Sequence, residues 1–323
     1  MKYYTFSLFS FLLIFTSLQG EFLFDGPNLH YRELKSAEVE FQIAKDAWKK
    51  GDYSSALLSF EAIWDNYPRS PLAPESIFRS AKCLIRLQEL EAANEKLSLY
   101  LRSQGAPTYF KEAIQDKFQI AEKFREGTGK PIFGVRYLPK WLGGETLSLE
   151  IYDEIATILP SDPIAAKSLY AKGLLLKTMG QWKESVDAFY NLIRRFPHDA
   201  LAAEAYVESN EVFLVQAAIE IQNPDILGMA RVNAKRFESD FPNDERIEMV
   251  HSGVQKVEER YAEALLEAGM LYERKGEPRS AEIYYKNAIH HFPETKVAAL
   301  SELRLKRLEK ELIASTPEAT TQQ

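Results

Sequence analysis

Apolar positions along this chain recur mostly at three- and four-residue intervals, the spacing of one helical face. The pattern runs through EFQIAKDAWKK (40–50), SLYAKGLLLKTM (168–179) and EALLEAGMLYERK (263–275), and a glycine follows each at once. The glycine opens a second helical stretch: GDYSSALLSFEAIWDNYP (51–68), GQWKESVDAFYNLIRRFP (180–197) and GEPRSAEIYYKNAIHHFP (276–293). In all three an aromatic (Phe60, Phe189, Tyr285) stands nine residues after the glycine, and an aromatic-proline pair (Pro68, Pro197, Pro293) closes the stretch eight residues later. Gly51, Gly180 and Gly276 sit where one helix stops and the chain reverses, which favours a residue free to take positive φ. The prolines end the second helix, because proline lacks the amide donor and clashes with the preceding turn. Ala56 and Ala281, with Ser185 at the same place, let the second helix lie close to the first. Ala44, Gly173 and Gly269 fall seven residues before each turn glycine and supply the facing small position.

The layout resembles the 34-residue tetratricopeptide repeat residue by residue. Weaker units fill the gaps: residues 74–105, with Ala81, Leu84, Ala93 and Leu97 at matching positions; 108–126 with 147–160; and long helices near 200–222 and 225–240. A further long helix starts near Asp244 and leads into the last unit. The expected fold is therefore all-α, a right-handed superhelical solenoid of about six helix pairs. Its expected organisation is a leader at 1–20, a linker at 21–34, three repeats over 35–160, three more over 161–312, and a polar tail at 313–323. Residues 127–146, GTGKPIFGVRYLPKWLGGET, interrupt the third unit with five of the chain's fifteen glycines. The aromatics of this insertion either fold back onto the helices or meet a partner, since exposed aromatics need a cover.

Composition narrows the function. MKYYTFSLFSFLLIFTSLQG (1–20) has one lysine, an apolar run and then small and polar residues, the layout of a cleaved secretory signal; its alternatives are a core helix or an anchor. Without residues 1–20 the chain carries 39 basic and 47 acidic residues, a balance that argues against nucleic acid as the main partner. The single cysteine, Cys83, precludes an intrachain disulfide and reads as a small core residue rather than a reactive thiol. Gly127-Thr-Gly-Lys130 fails as a phosphate loop, because Phe124 stands where that motif needs glycine and Pro131 where it needs Ser or Thr. No two of the five histidines stand three or four residues apart, the spacing of a helical metal pair. No nucleophile elbow or dinucleotide fingerprint is present. The expectation is a non-enzyme without cofactor, metal or small-molecule substrate.

In the repeat layout the first helix of each unit lines a concave face. The first unit presents Glu38, Phe41, Lys45 and Trp48 there, with Lys49 beside them; the second presents Glu75, Phe78, Lys82 and Ile85, with Arg86 beside them. Aromatics (Phe41, Trp48, Phe78) thus alternate with cations (Lys45, Lys82, Arg86), a surface suited to a peptide C-terminus carrying an aromatic side chain and a carboxylate. Alternatively, Phe41 and Phe78 are core between repeats and the cations ordinary surface.

KSAEVEFQIAKDAWKKGDYSSALLSFEAIWDNYPRSPLAPES (35–76) resembles the opening of the BamD (YfiO) family, the tetratricopeptide component of the outer-membrane β-barrel assembly machine. ERYAEALLEAGMLYERKGEPRSAEIYYKNAIHHFPETKVAAL (259–300) is similar to that family's last repeat. The resemblance implies a periplasmic scaffold at the outer membrane. Its C-terminal repeats would meet the barrel-inserting subunit, and its N-terminal repeats would receive the C-terminal signals of nascent barrel proteins. Two features depart from the family: no N-terminal cysteine offers a lipid anchor, so attachment would come through partners, and the 127–146 insertion lies outside the pattern. A general periplasmic tetratricopeptide adaptor is the other reading.

Overall fold

The computed structural model describes residues 20–25, 28–33, 35–103, 107–127, 143–220 and 223–315. They fall into two compact units, Met1–Gly144 and Glu145–Gln323.

The first unit opens with strands β1 (Gly20–Asp25) and β2 (Asn28–Glu33), paired antiparallel from Gly20↔Glu33 to Asp25↔Asn28. The segment expected to be a linker is thus a hairpin. Its second strand alternates apolar Leu29 and Tyr31 with polar His30 and Arg32, the period of a strand. Helices α1 (Ala37–Lys49), α2 (Tyr53–Asn66), α3 (Ala73–Arg86), α4 (Leu90–Ser103) and α5 (Phe110–Arg125) then pack each on the next.

The second unit runs α6 (Glu145–Ile158), α7 (Pro163–Thr178), α8 (Trp182–Arg195), α9 (Ala200–Ile219), α10 (Pro224–Asp240), α11 (Ile247–Arg274), α12 (Pro278–His291) and α13 (Lys296–Ser315). Here too each helix packs on its successor, while α9 also packs on α11, and α11 on α13. The fold class is all-α as expected, with strands confined among the described residues to 20–33. The units divide before α6, whereas the repeat count placed the division after residue 160 and paired 108–126 with 147–160. The leader residues 1–19, insertion residues 128–142 and tail residues 316–323 lie outside the described residues.

The repeat chemistry works as the spacing predicts. Gly51, Gly180 and Gly276 have φ of 80°, 72° and 76°, and Gln88 takes the same left-handed turn at 60°. Behind each, one N–H reaches back five residues: Asp52 to Ala47, Glu89 to Leu84, Gln181 to Leu176 and Glu277 to Tyr272, all at 2.9–3.0 Å. This closes the orphan carbonyls of the ending helix. Tyr67, Phe196 and Phe292, each preceding a closing proline, stand at φ −126° to −135° and ψ 50° to 57°. The proline ring excludes the helical region there, and the helix stops.

Small residues set the distance between paired helices. A Cβ on Gly173 would stand 2.4 Å from Cε1 of Phe189, and one on Gly269 2.4 Å from Cε1 of Tyr285. Ala44, at the corresponding place, and Phe60 are both buried. Ala56 and Ala281 are fully buried; Ser185 satisfies its hydroxyl by donating to the Gly173 carbonyl at 2.8 Å. Cys83 is buried, and burial pushes its thiol up to about 12, the behaviour of a core residue. At the chain's end α13 is clamped to α11: Glu273 accepts from Tyr285 Oη at 2.6 Å and from Arg304 and Arg307.

Candidate functional site

The surface expected to bind peptides lies in the first unit, where α1, α3 and α5 are the first helices of successive pairs. Phe41 is buried and meets Phe60 edge-on, with centroids 5.6 Å apart. Lys45 Nζ lies 5.6 Å from the Phe41 centroid, and the Arg79 guanidinium 5.7 Å. Phe78 is buried and stacks on Tyr109, with centroids 4.7 Å apart and planes 5° from parallel. Trp48 is half-buried and sets its edge against Tyr53 at 5.0 Å. Trp48, Phe60, Phe78, Arg79, Lys82, Tyr109 and Glu112 enclose a cavity of about 250 Å³.

The cations of this surface are not equivalent. Lys82 Nζ sits 2.8 Å from Asp116 Oδ2 and 3.0 Å from Glu112 Oε1, while lying 5.7 Å from the Phe78 centroid. Burial works against its charge, but hydrogen bonds to Asp116 and Glu112 outweigh it and raise the ammonium above the ordinary lysine value. Arg79 donates to Glu75 Oε1 at 2.7 Å, and the same oxygen accepts from Tyr109 Oη at 3.2 Å. Lys49 pairs with Asp46 at 3.4 Å on the exposed side. Lys45 has no carboxylate partner among the described residues. Arg86 is the last residue of α3, exposed and apart from the cavity lining.

Of the six groove residues read from the sequence, Trp48, Phe78 and Lys82 line the cavity, and Phe41 and Lys45 sit beside it through Arg79 and Phe60. Arg79, Tyr109 and Glu112 were not anticipated. The repeat period would have found Tyr109, which stands 34 residues after Glu75 and donates to it, just as Asp116 stands 34 after Lys82. Tyr206–Asp240 and Glu273–Arg307 repeat the same offset in the second unit. No group of three or more metal-ligating side chains occurs among the described residues, and no described helix is long and apolar enough to cross a membrane.

Family models for the tetratricopeptide repeat match residues 41–108, 167–199 and 263–295. These are the segments in which the glycine turns and closing prolines fall. Among solved structures, a tetratricopeptide repeat protein from Parabacteroides merdae ATCC 43184 aligns with 84% of this chain and 98% of its own, at 17% identity and a TM-score of 0.35. YrrB, described as a TPR protein with an unusual peptide-binding site, aligns with 67% of this chain and 92% of its own, at 10% identity and 0.33. PilW, described as a widely conserved type IV pilus biogenesis factor, aligns with 82% and 97%, at 15% identity and 0.27. No curated protein matches the chain. The matched repeats and the helix-pair architecture make this a tetratricopeptide-type protein-interaction scaffold.

Proposed function

We propose that this protein is a non-catalytic periplasmic scaffold of BamD-like type, which takes C-terminal segments of outer-membrane β-barrel proteins into the groove of its first unit. The observation that carries the reading is the aromatic-walled cavity between α1, α3 and α5. At about 250 Å³ it lies below the roughly 300–1,000 Å³ of small-molecule pockets and suits one apolar or aromatic side chain of a bound segment. Lys82 and Arg79 already hold carboxylates of their own chain, so Lys45 is the cation left to meet a terminal carboxylate. The resemblance at 35–76 and 259–300, together with the signal-like leader, supports the location and the kind of partner. Barrel-assembly subunits would meet the later repeats.

The test is fluorescence anisotropy of a labelled peptide ending in phenylalanine, with a free or an amidated C-terminus, on the full chain. Trp48→Ala is expected to weaken binding about tenfold or more. Lys45→Glu is expected to abolish the preference for the free carboxylate. Unchanged affinity in both variants would end the proposal. Co-purification from detergent-solubilised envelope adds a second arm: recovery of a large β-barrel protein bearing soluble POTRA-type domains supports this function, whereas a different set of partners favours the general adaptor.

A further inference from the structure

The second helices of neighbouring repeats are tied together in places: Arg195 of α8 donates to the Ala156 carbonyl of α6 at 2.8 Å. In the first unit, Lys96 of α4 reaches Glu61 of α2 at 2.7 Å and bridges the two. In the second unit, α8 and α10 instead flank an open cleft of about 790 Å³, with buried Tyr206 of α9 at its floor. Asp187, Tyr190 and Arg194 line it from α8, and Arg236 and Asp240 from α10. Asp187 and Arg236 have no ionic partner among the described residues. Arg194 donates to Asn191 Oδ1 at 3.0 Å, and Asp240 accepts from Tyr206 Oη at 2.7 Å. Tyr190 is half-buried with no hydrogen-bond partner for its hydroxyl among the described residues.

Two acids and two bases share this cleft, so neither an anionic nor a cationic ligand would neutralise it. A second copy turned about a two-fold axis neutralises both signs where an acid of one meets a base of the other, because an isologous contact repeats every such pair. The rim supplies a ridge for such a contact. Met229, Val232, Arg236 and Asp240 follow one another at helical spacing along α10, and Met229 and Val232 are 40% and 49% exposed. We propose that the α8–α10 cleft is the interface of a homodimer. The α10 ridge of each copy lies in the cleft of the other, Met229 and Val232 are covered there, and each Asp187 faces the Arg236 of its partner. This face is built from second helices and the candidate peptide groove from first helices of the other unit, so the inference stands apart from the proposed function.

Sedimentation velocity on the full chain, over about 1–100 μM, tests it directly. The unmodified protein should sediment as a dimer at the upper end. Asp187→Arg and Arg236→Asp should each shift the midpoint toward monomer by about tenfold or more, since like charges then meet across the axis. Combining the two should restore the dimer. Val232→Asp should abolish it, independently of the charge pairs. All four variants alter partly or fully exposed side chains, and far-UV circular dichroism will show whether the helices are retained. A monomer throughout, a dimer indifferent to the single reversals, or a double reversal that fails to rescue would each overturn the proposal.

Discussion

The regular repeats and the segment spanning α9, α10 and the start of α11 solve one packing problem in different ways. In the regular repeats paired helices approach because a side chain is missing: Gly173 lies against Phe189 and Gly269 against Tyr285. In the intervening segment the contact is made by amides. Asn233 Nδ2 donates to the Tyr206 carbonyl at 2.9 Å and to Asn210 Oδ1 at 3.0 Å, and Asn210 Nδ2 donates to the Val250 carbonyl at 2.8 Å. Gly253 leaves room for that last bond, since a Cβ there would come within 3.1 Å of Asn210 Nδ2. Shape complementarity fixes the repeat length, because an aromatic must meet its small partner at a set spacing. A hydrogen bond to a carbonyl imposes no such period, and here the helices lengthen to 20 and 28 residues. The tetratricopeptide models match the first kind of packing, and residues 200–262 lie outside the matched segments.

The comparison breaks most visibly at the glycines. Gly173→Ala and Gly269→Ala should each destabilise the second unit by about 3 kcal/mol, the upper part of the usual overpacking range, because the opposing rings are buried and cannot swing aside. Adding Phe189→Leu to Gly173→Ala should recover part of that loss, read as the urea midpoint by circular dichroism. Equal stability of the alanine variants and the parent would remove the steric account. Asn233→Ala should cost less, about 2 kcal/mol, by leaving the Tyr206 carbonyl and Asn210 Oδ1 short of a donor. Its signature is local: amide hydrogen exchange should quicken in α9–α11 ahead of α12 and α13. Uniform quickening would mean that the amides do not hold this segment separately.

The same contrast explains what the sequence disclosed. Steric packing leaves marks in residue type at fixed spacing, so Gly51, Phe60 and Pro68, with their counterparts, announced the helix pairs and their turns. The amide contacts leave none: Asn210, Asn233 and Gly253 are ordinary residues on apolar helices, and only coordinates bring them together. In the groove, aromatic and cationic residue types were legible, but the ionic state of the cations was not. Asp116 and Glu112 belong to the following unit, which the weaker repeat pattern aligned less well. Arg86 follows the last groove position of its helix, whereas Arg79, two turns earlier, is the arginine that faces Phe41. The hairpin at 20–33 left little mark: Phe22-Leu23-Phe24 continues the apolar leader, and only the six-residue second strand alternates.

The smallest effect applies the idea of a required empty place to a turn. Gly51 and Gln88 end α1 and α3 in the same left-handed conformation, with the same back-reaching hydrogen bonds, and differ in carrying no side chain or one. At Gly51 an added Cβ meets nothing within 4 Å, so Gly51→Ala isolates the backbone strain, about 1 kcal/mol destabilising. Gln88 already bears that strain. Its side-chain amide donates to the Ile85 carbonyl at 3.3 Å. Gln88→Gly relieves the strain but gives the unfolded chain more freedom, so the net gain should be only about 0.5 kcal/mol. The two substitutions therefore carry opposite signs at equivalent turns. If urea unfolding shows Gln88→Gly to be destabilising, the side chain rather than the backbone governs this turn, and the second repeat is held by a device that the glycine repeats do not use.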